Sequence, residues 1–159
     1  MATQNKNLSL FDKANIPSAK GMRFGIVVAN WNTEITSNLL DGAKETLLEC
    51  GTSASNISVM EVPGSFELVF GAKLMSKQKV DAIICLGSII QGETKHFDFV
   101  CNAVSLGIKD LNIALNVPVI FGVLTDNTLQ QARNRSGGKY GNKGVEAAIT
   151  AIKMAHLNK

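Results

Sequence analysis

The sequence predicts an α/β protein whose parallel sheet lies between two layers of helices, and three observations lead to this fold class. Short, nearly continuous apolar runs such as residues 22–29 are typical of strands that are buried on both faces of a sheet. These runs alternate with longer segments that carry helical spacing, an order that favours parallel strands joined by helices. The length of 159 residues suits one domain with a full hydrophobic core.

Four strands and five helices follow from these patterns. The strands are predicted at 22–29, 57–62, 81–87 and 117–124, and the helices at 34–50, 65–76, 94–115, 127–135 and 143–157. The first helix has the clearest pattern, since apolar residues recur every four positions from Ile35 to Leu47. We expect Asn32 or Thr33 to cap its start and Gly51 to end it. Residues 1–21 are polar and irregular, so the chain divides into an N-terminal arm, 1–21, and a single domain, 22–159.

The composition excludes several classes of protein. Sixteen basic residues against thirteen acidic ones give a formal charge of +3, and without a basic cluster this excess does not indicate nucleic-acid binding. The longest apolar stretch, residues 117–124, is far shorter than the roughly 20 residues that a membrane-spanning helix needs, and no secretory signal is visible. Three cysteines without metal-ligand spacing predict a cytoplasmic protein with no metal site.

The predicted topology also locates a binding site. Open parallel sheets bind ligands beyond the carboxyl ends of their strands. The segments that follow the four strands are 30–32, 63–67, 88–96 and 121–126. We therefore expect the residues that bind substrate and carry chemistry to lie in these segments.

The first two segments admit both a functional and a purely structural interpretation. Trp31 is the only tryptophan, and it is either a stacking platform for a flat heterocycle or a side chain half-buried against the first helix. Glu67 is placed to accept hydrogen bonds from ring or amine N–H groups. In the structural interpretation, Ser65 is a helix N-cap and Phe66 is a core residue.

The third segment combines a phosphate-loop spacing with a histidine. Gly87 and Gly92 have the G-x-x-x-x-G spacing of a phosphate-binding loop. Glu93 stands where the motif has a lysine, which disfavours nucleoside triphosphate chemistry. The backbone amides of the loop could still bind one phosphate. His96 lies at a predicted helix start, where it serves as a general acid or base unless its role is structural. Further along the chain, Arg135 either binds a phosphate or is a solvated residue at a helix end.

Five segments, in order and with matching spacing, resemble the lumazine synthase family. They are 25–32 (GIVVANWN), 62–67 (VPGSFE), 86–102 (LGSIIQGETKHFDFVCN), 118–125 (PVIFGVLT) and 141–144 (GNKG). The resemblance extends over about residues 22–157. It implies a flavodoxin-like, four-stranded parallel sheet in a three-layer α-β-α sandwich, with an N-terminal arm that adds to a neighbouring subunit's sheet.

The resemblance also implies an activity and a set of site residues. Enzymes of this family are transferases that condense 5-amino-6-(D-ribitylamino)uracil with 3,4-dihydroxy-2-butanone 4-phosphate. They release phosphate and water in the penultimate step of riboflavin biosynthesis, without a metal or organic cofactor. His96 matches the family's proton-transfer residue. The matching binding positions are Trp31, Ser88, Ile89 and Ile90 at the pyrimidine, Ser65, Phe66 and Glu67 at the ribityl chain and ring, Glu93 and Thr94 at the phosphate, Phe121 and Arg135 from the adjacent subunit, and Lys143 near the same phosphate.

The resemblance further implies a homo-oligomer built from pentamers. The glycine-rich turn at 137–142 is similar to the short turn of family members that form shells, so the resemblance implies twelve pentamers in an icosahedral shell, with riboflavin synthase as a partner. Pro17 argues against the shell, because proline removes a backbone donor from an arm that pairs with a sheet edge. An alternative function from another class is a non-catalytic flavin-binding or flavodoxin-like carrier that stacks Trp31 on the flavin.

Overall fold

The computed structural model describes Asn7 and residues 9–158, and its main elements alternate between strands and helices. The strands are β1 Phe24–Ala29, β2 Ile57–Val62, β3 Ala82–Ile90, β4 Val119–Asp126, β5 Ser136–Gly138 and β6 Gly141–Asn142. The helices are α1 Thr33–Glu49, α2 Leu68–Met75, α3 His96–Ala114, α4 Leu129–Arg135 and α5 Lys143–Leu157, with short 3-10 turns at Lys13–Asn15 and Ala54–Asn56.

The four long strands form one parallel sheet in the order β2-β1-β3-β4, which confirms the predicted fold class. Successive side chains of a strand point to opposite faces, and the two faces contribute to separate hydrophobic cores. Ile26 packs with residues of α1 and α5 in one core, and Val27 packs with residues of α2 and α3 in the other. The sheet is therefore covered by helices on both faces, and its carboxyl-end edge is left open between them.

The third strand is longer than the sequence predicted. Ser88, Ile89 and Ile90 continue the β3 ladder opposite Leu124 to Asp126 of β4. The interpretation of 87–92 as a phosphate loop is therefore wrong for its first half, because the two β-branched isoleucines favour an extended, paired backbone. The loop is confined to the residues between β3 and α3.

Three further local features differ from the expectations. Helix α2 begins at Leu68 rather than at Ser65, because a turn with hydrogen bonds from the Glu67 N–H to the Gly64 carbonyl and from the Leu68 N–H to the Ser65 carbonyl precedes it. The β5–β6 hairpin was not predicted. Asn32 is the N-cap residue of α1, but its side chain accepts no capping hydrogen bond. Gly51, with φ +101°, follows the end of α1 as expected.

The arm is only partly described. Residues 1–6 and 8 of the predicted arm lie outside the described part of the chain. Ala19 is fully buried in the core next to α1, and its N–H donates to the Cys50 carbonyl at 2.8 Å. In the described residues, no helix is both long and apolar enough to cross a bilayer.

Candidate active site

A cavity of about 740 Å³ lies beyond the carboxyl ends of β1, β2 and β3, where the topology predicted a site. Its lining combines the end of β3 with residues at or just before the starts of four helices, α1 to α4. The lining residues are Trp31, Asn32, Gly64, Ser65, Phe66, Glu67, Ser88, Ile89, Ile90, Gly92, Thr94, His96, Phe97, Val100 and Leu129.

Nine of the residues that the sequence predicted for the site border this cavity: Trp31, Ser65, Phe66, Glu67, Ser88, Ile89, Ile90, Thr94 and His96. Four others do not border it in the same chain. Glu93 is exposed in the turn before α3, and Phe121 is half-buried in β4 against the α2–α3 core. Arg135 ends α4 and Lys143 begins α5, away from the cavity.

Trp31 is 72% exposed, so the half-buried alternative does not describe it. Backbone hydrogen bonds hold its segment to the end of β2, since the Asn30 N–H donates to the Val62 carbonyl at 2.8 Å and the Trp31 N–H to the Pro63 carbonyl at 3.1 Å. The indole is therefore an apolar surface offered at the edge of the cavity. A flat, partly polar ring is a suitable ligand for such a surface.

The segment before α2 supplies a second wall. Phe66 is 58% exposed, so its interpretation as a core residue is wrong. Ser65 is buried, and Gly87 makes room for this serine, because a Cβ on Gly87 would come within 2.7 Å of the Ser65 hydroxyl oxygen. Glu67 completes the wall with a carboxylate that can accept hydrogen bonds from N–H or O–H groups.

The start of α3 forms the polar end of the cavity. His96 is the first residue of this helix, and its backbone N–H donates to the Thr94 hydroxyl at 3.3 Å. The N-cap residue Lys95 makes no side-chain capping bond, so the N–H groups of the first turn that follow His96 can bind an anion. The exposed imidazole of His96 thus lies beside a position that favours negative charge.

Sequence reasoning missed three apolar residues of the lining. Phe97 and Val100 lie one turn apart on α3, and Leu129 is the first residue of α4. The spacing of three between Phe97 and Val100 was a readable signal, since such pairs share a helix face. No comparable signal marked Leu129, because its place depends on how α4 packs against the sheet.

Arg135 is held inside its own chain. Its guanidinium donates to Glu146 at 2.8 Å and to the Tyr140 carbonyl at 2.9 Å, and Lys143 donates to the other oxygen of Glu146 at 3.1 Å. Burial raises the pKa of the nearby Asp126 carboxyl, and the positive charge of Arg135 opposes that rise. Two cations, Arg135 and Lys143, therefore lie around the carboxylate of Glu146.

Two side-chain oxygen atoms are buried at the carboxyl-end edge of the sheet. Ser88 Oγ and Asp126 Oδ2 are buried and make no hydrogen bond within the described residues.

The thiols of Cys85 and Cys101 are not activated nucleophiles. Burial raises the pKa of the Cys85 thiol to about 12, and burial together with the nearby Asp98 charge raises the pKa of the Cys101 thiol. In the part of the chain that the structure describes, no three His, Cys, Asp or Glu side chains group into a metal site.

Comparison with known proteins decides the family. The family model for 6,7-dimethyl-8-ribityllumazine synthase matches residues 21–159. The chain belongs to the 6,7-dimethyl-8-ribityllumazine synthase family. This finding confirms the resemblance, and with it a transferase of riboflavin biosynthesis. It favours the synthase over the non-catalytic carrier.

Curated relatives with the family's name match over 99–100% of this chain. The lumazine synthase of Flavobacterium johnsoniae is 59% identical, covering 100% of this chain and 84% of the relative. That of Christiangramia forsetii is 58% identical over 100% of this chain and 96% of the relative, and that of Parabacteroides distasonis 52% over 99% of each.

Proposed function

We propose that the cavity at the carboxyl ends of β1, β2 and β3 is where this chain condenses 5-amino-6-(D-ribitylamino)uracil with 3,4-dihydroxy-2-butanone 4-phosphate. The observation that carries the proposal is the convergence of the nine predicted site residues on one cavity from three of the four segments that follow the strands. An exposed indole, a carboxylate and an open helix N-terminus lie around one space. These groups suit a flat ring, a polyol and a phosphate.

The pyrimidine fits between Trp31 and the end of β3. The indole supplies a stacking surface, while Ile89 and Ile90 supply apolar contacts and paired, ordered backbone. Ser65, Phe66 and Glu67 then hold the ribityl chain and the ring edge, with the carboxylate of Glu67 accepting hydrogen bonds.

The phosphate of the second substrate fits the start of α3. Thr94 offers a hydroxyl and the first turn offers backbone N–H groups, and the helix dipole favours the anion there. Glu93 adds a negative charge next to this position, so a cation has to offset it. Arg135 and Lys143 of an adjacent subunit are the proposed cations.

The reaction needs positioning and proton transfer. The ring amine attacks the ketone of the butanone phosphate, and water leaves as the imine forms. Phosphate is then eliminated, the ribitylamine nitrogen closes the second ring, and a further water leaves. Holding both substrates in one cavity provides most of the acceleration. His96 moves protons between the nitrogen and oxygen atoms that gain and lose them.

The shared site requires an oligomer, and α3 carries a surface suited to one. This helix of 19 residues buries only Val104 and Ile108 completely. Phe99, Leu106 and Ile113 recur every seven residues on it and are 70%, 57% and 77% exposed. Such a stripe on the outside of a protein marks an interaction surface. We infer that it packs against a second copy, which brings Phe121 and Arg135 to the cavity of its neighbour.

The finer assembly is also a proposal. The turn at the β5–β6 hairpin is short, with Gly137 at φ +117° and Gly141 at φ +85°, which supports twelve pentamers in a shell. The β2 edge strand exposes Val59, which offers a pairing edge to a neighbour's arm. Riboflavin synthase is the proposed partner of the shell, and the cytoplasm its proposed location.

A direct assay tests the proposed site. The purified protein is mixed with both substrates, and the lumazine chromophore and released phosphate are followed against the uncatalysed background. The Glu67→Ala variant, which removes the carboxylate of the cavity wall, should raise the KM for the pyrimidine. If the wild-type protein forms lumazine no faster than buffer, the proposal fails. Tight flavin binding without turnover would instead support the carrier.

A further inference from the structure

Asn32 has a left-handed backbone conformation, which costs asparagine less than most residues but more than glycine. Its φ of 60° and ψ of 49° lie in the left-handed region, and no other non-glycine residue among those described has a positive φ. Asparagine visits this region more often than most residues, although glycine does so at less cost. Such a conformation persists only where the surroundings determine it, and it is often found at functional sites.

The side chain of Asn32 does not do what an N-cap side chain usually does. The backbone carbonyl of Asn32 accepts from the N–H groups of Ile35 at 2.8 Å and Thr36 at 3.1 Å, so α1 starts through main-chain bonds alone. The side-chain amide Nδ2 instead donates to the Ser88 carbonyl at 2.9 Å. Ser88 is 1% exposed and belongs to the end of β3. The bond therefore joins the segment after β1 to the strand that forms the cavity edge.

Trp31 depends on this segment for its orientation. The ring is largely exposed, so close packing does not determine where it points. The backbone N–H of Trp31 donates to the Pro63 carbonyl on one side, and the side-chain amide of Asn32 donates to the Ser88 carbonyl on the other. The segment 30–32 is thus fixed between the ends of β2 and β3, and the left-handed turn sets the direction of the indole.

We propose that Asn32 is a positioning residue that aims the Trp31 ring at the pyrimidine site, through its left-handed backbone and its side-chain bond to Ser88. This inference rests on the proposed stacking of Trp31. The side-chain bond can be tested apart from the backbone turn, because some substitutions of Asn32 remove the bond and keep the turn.

Three variants separate the contributions. Asn32→Gly keeps the left-handed turn without strain and removes the amide, so it is expected to fold. Aspartate also tolerates the left-handed turn, but in Asn32→Asp the carboxylate would face the Ser88 carbonyl, and the two groups should repel each other. Ser37→Gly is the control, because Ser37 is exposed on α1 and a glycine there costs helix stability without touching the cavity.

Two measurements report on positioning rather than on general stability. In Asn32→Gly we expect the KM for the pyrimidine to rise roughly threefold to tenfold, the factor that one lost hydrogen bond carries, while kcat and the KM for the butanone phosphate stay within about twofold. Time-resolved anisotropy of Trp31, the only tryptophan, should gain a fast component in ligand-free enzyme. Asn32→Asp should show larger effects of both kinds, and Ser37→Gly should show neither.

The outcomes also separate this inference from the proposed function. Unchanged pyrimidine KM and unchanged anisotropy in both Asn32 variants would overturn the positioning role, whatever their thermal stability. The anisotropy does not depend on turnover. A wild-type protein that forms no lumazine would therefore count against the proposed function, while the ring mobility of the Asn32 variants would still decide the inference.

Discussion

The guanidinium of Arg135 donates a hydrogen bond to the carboxylate of Glu146 at 2.8 Å, and both side chains are more than four-fifths buried. The arginine is therefore oriented before any ligand arrives, by a residue of the next helix. Its other donor bond, to the Tyr140 carbonyl, fixes the plane of the fork. A guanidinium held in this way loses little further side-chain freedom when it binds an anion.

The first prediction concerns this arginine. Arg135→Ala should raise the KM for the butanone phosphate by about 10- to 150-fold, since a charge-assisted hydrogen bond contributes about 1.5–3 kcal/mol. The KM for the pyrimidine should change little. Arg133→Ala is the matched control, because Arg133 also lies on α4 and pairs with Glu34 at 2.7 Å on the exposed surface. Equal effects on both substrates, or an effect of Arg133→Ala as large, would contradict the role.

The second prediction concerns proton transfer. His96→Ala should slow turnover by about 10²- to 10⁴-fold, the usual contribution of a general acid or base, and should flatten the pH–rate profile. Activity above background should persist, because the positioning of both substrates survives. His156→Ala is the control, since that imidazole contacts the Ser18 carbonyl near the end of α5. Wild-type turnover of His96→Ala at every pH would exclude the role.

The third prediction concerns stacking. Titration with the pyrimidine substrate or riboflavin should quench the fluorescence of Trp31, because a stacked heterocycle lies in contact with the exposed indole. Free N-acetyltryptophanamide corrects for light that the ligand absorbs. Trp31→Phe should bind the pyrimidine more weakly, because the ring is smaller. Unchanged emission at saturating ligand would show that the pyrimidine does not stack there.

The fourth prediction concerns assembly. Wild-type protein should scatter light as a shell of twelve pentamers, and Leu106→Glu in the middle of the α3 stripe should dissociate it into folded, inactive chains. Leu157→Glu is the control, because this leucine is 79% exposed at the end of α5 and lies off the stripe. A particle of five chains would refute the shell alone. A fully active monomer would refute the shared site.

The fifth prediction concerns Asp126. Burial raises the pKa of its carboxyl despite the attraction of Arg135, so the folded chain holds this proton more tightly than the unfolded chain does. The stability that the neutral form provides is present at low pH and is lost as the pH rises through the raised pKa. Asp126→Asn should therefore raise Tm at neutral pH and leave it unchanged near pH ~3. A lower Tm at neutral pH would mean that the carboxylate is stabilised by its surroundings.

Much of the fold could be predicted because its strands are buried on both faces. Such strands are recognised by continuous apolar runs, and β1 and β2 lie within two residues of their predicted bounds. The end of β3 was misread, since the glycine spacing suggested a loop while Ile89 and Ile90 pair with β4. The β5–β6 hairpin was missed because its glycines carry no alternating pattern.

The candidate site was reached from topology and family resemblance, but its details required the structure. The rule that ligands bind at the carboxyl ends of parallel strands identified the segments. Whether Phe66 is a core residue or an exposed wall depends on how the turn before α2 is oriented, which local sequence does not determine. The left-handed conformation of Asn32 was likewise unpredictable, because asparagine at a helix start normally signals a side-chain cap.

The extension of β3 to Ile90 also affects the thermodynamics of ligand binding. Since Ser88, Ile89 and Ile90 are already paired with β4, a ligand that settles against them does not have to order their backbone. Conformational entropy lost on binding is then confined mainly to the short turn from Gln91 to Lys95 and to side chains such as Trp31. A substrate with a long, flexible polyol can thus be held at an edge that contributes almost no entropic cost of its own.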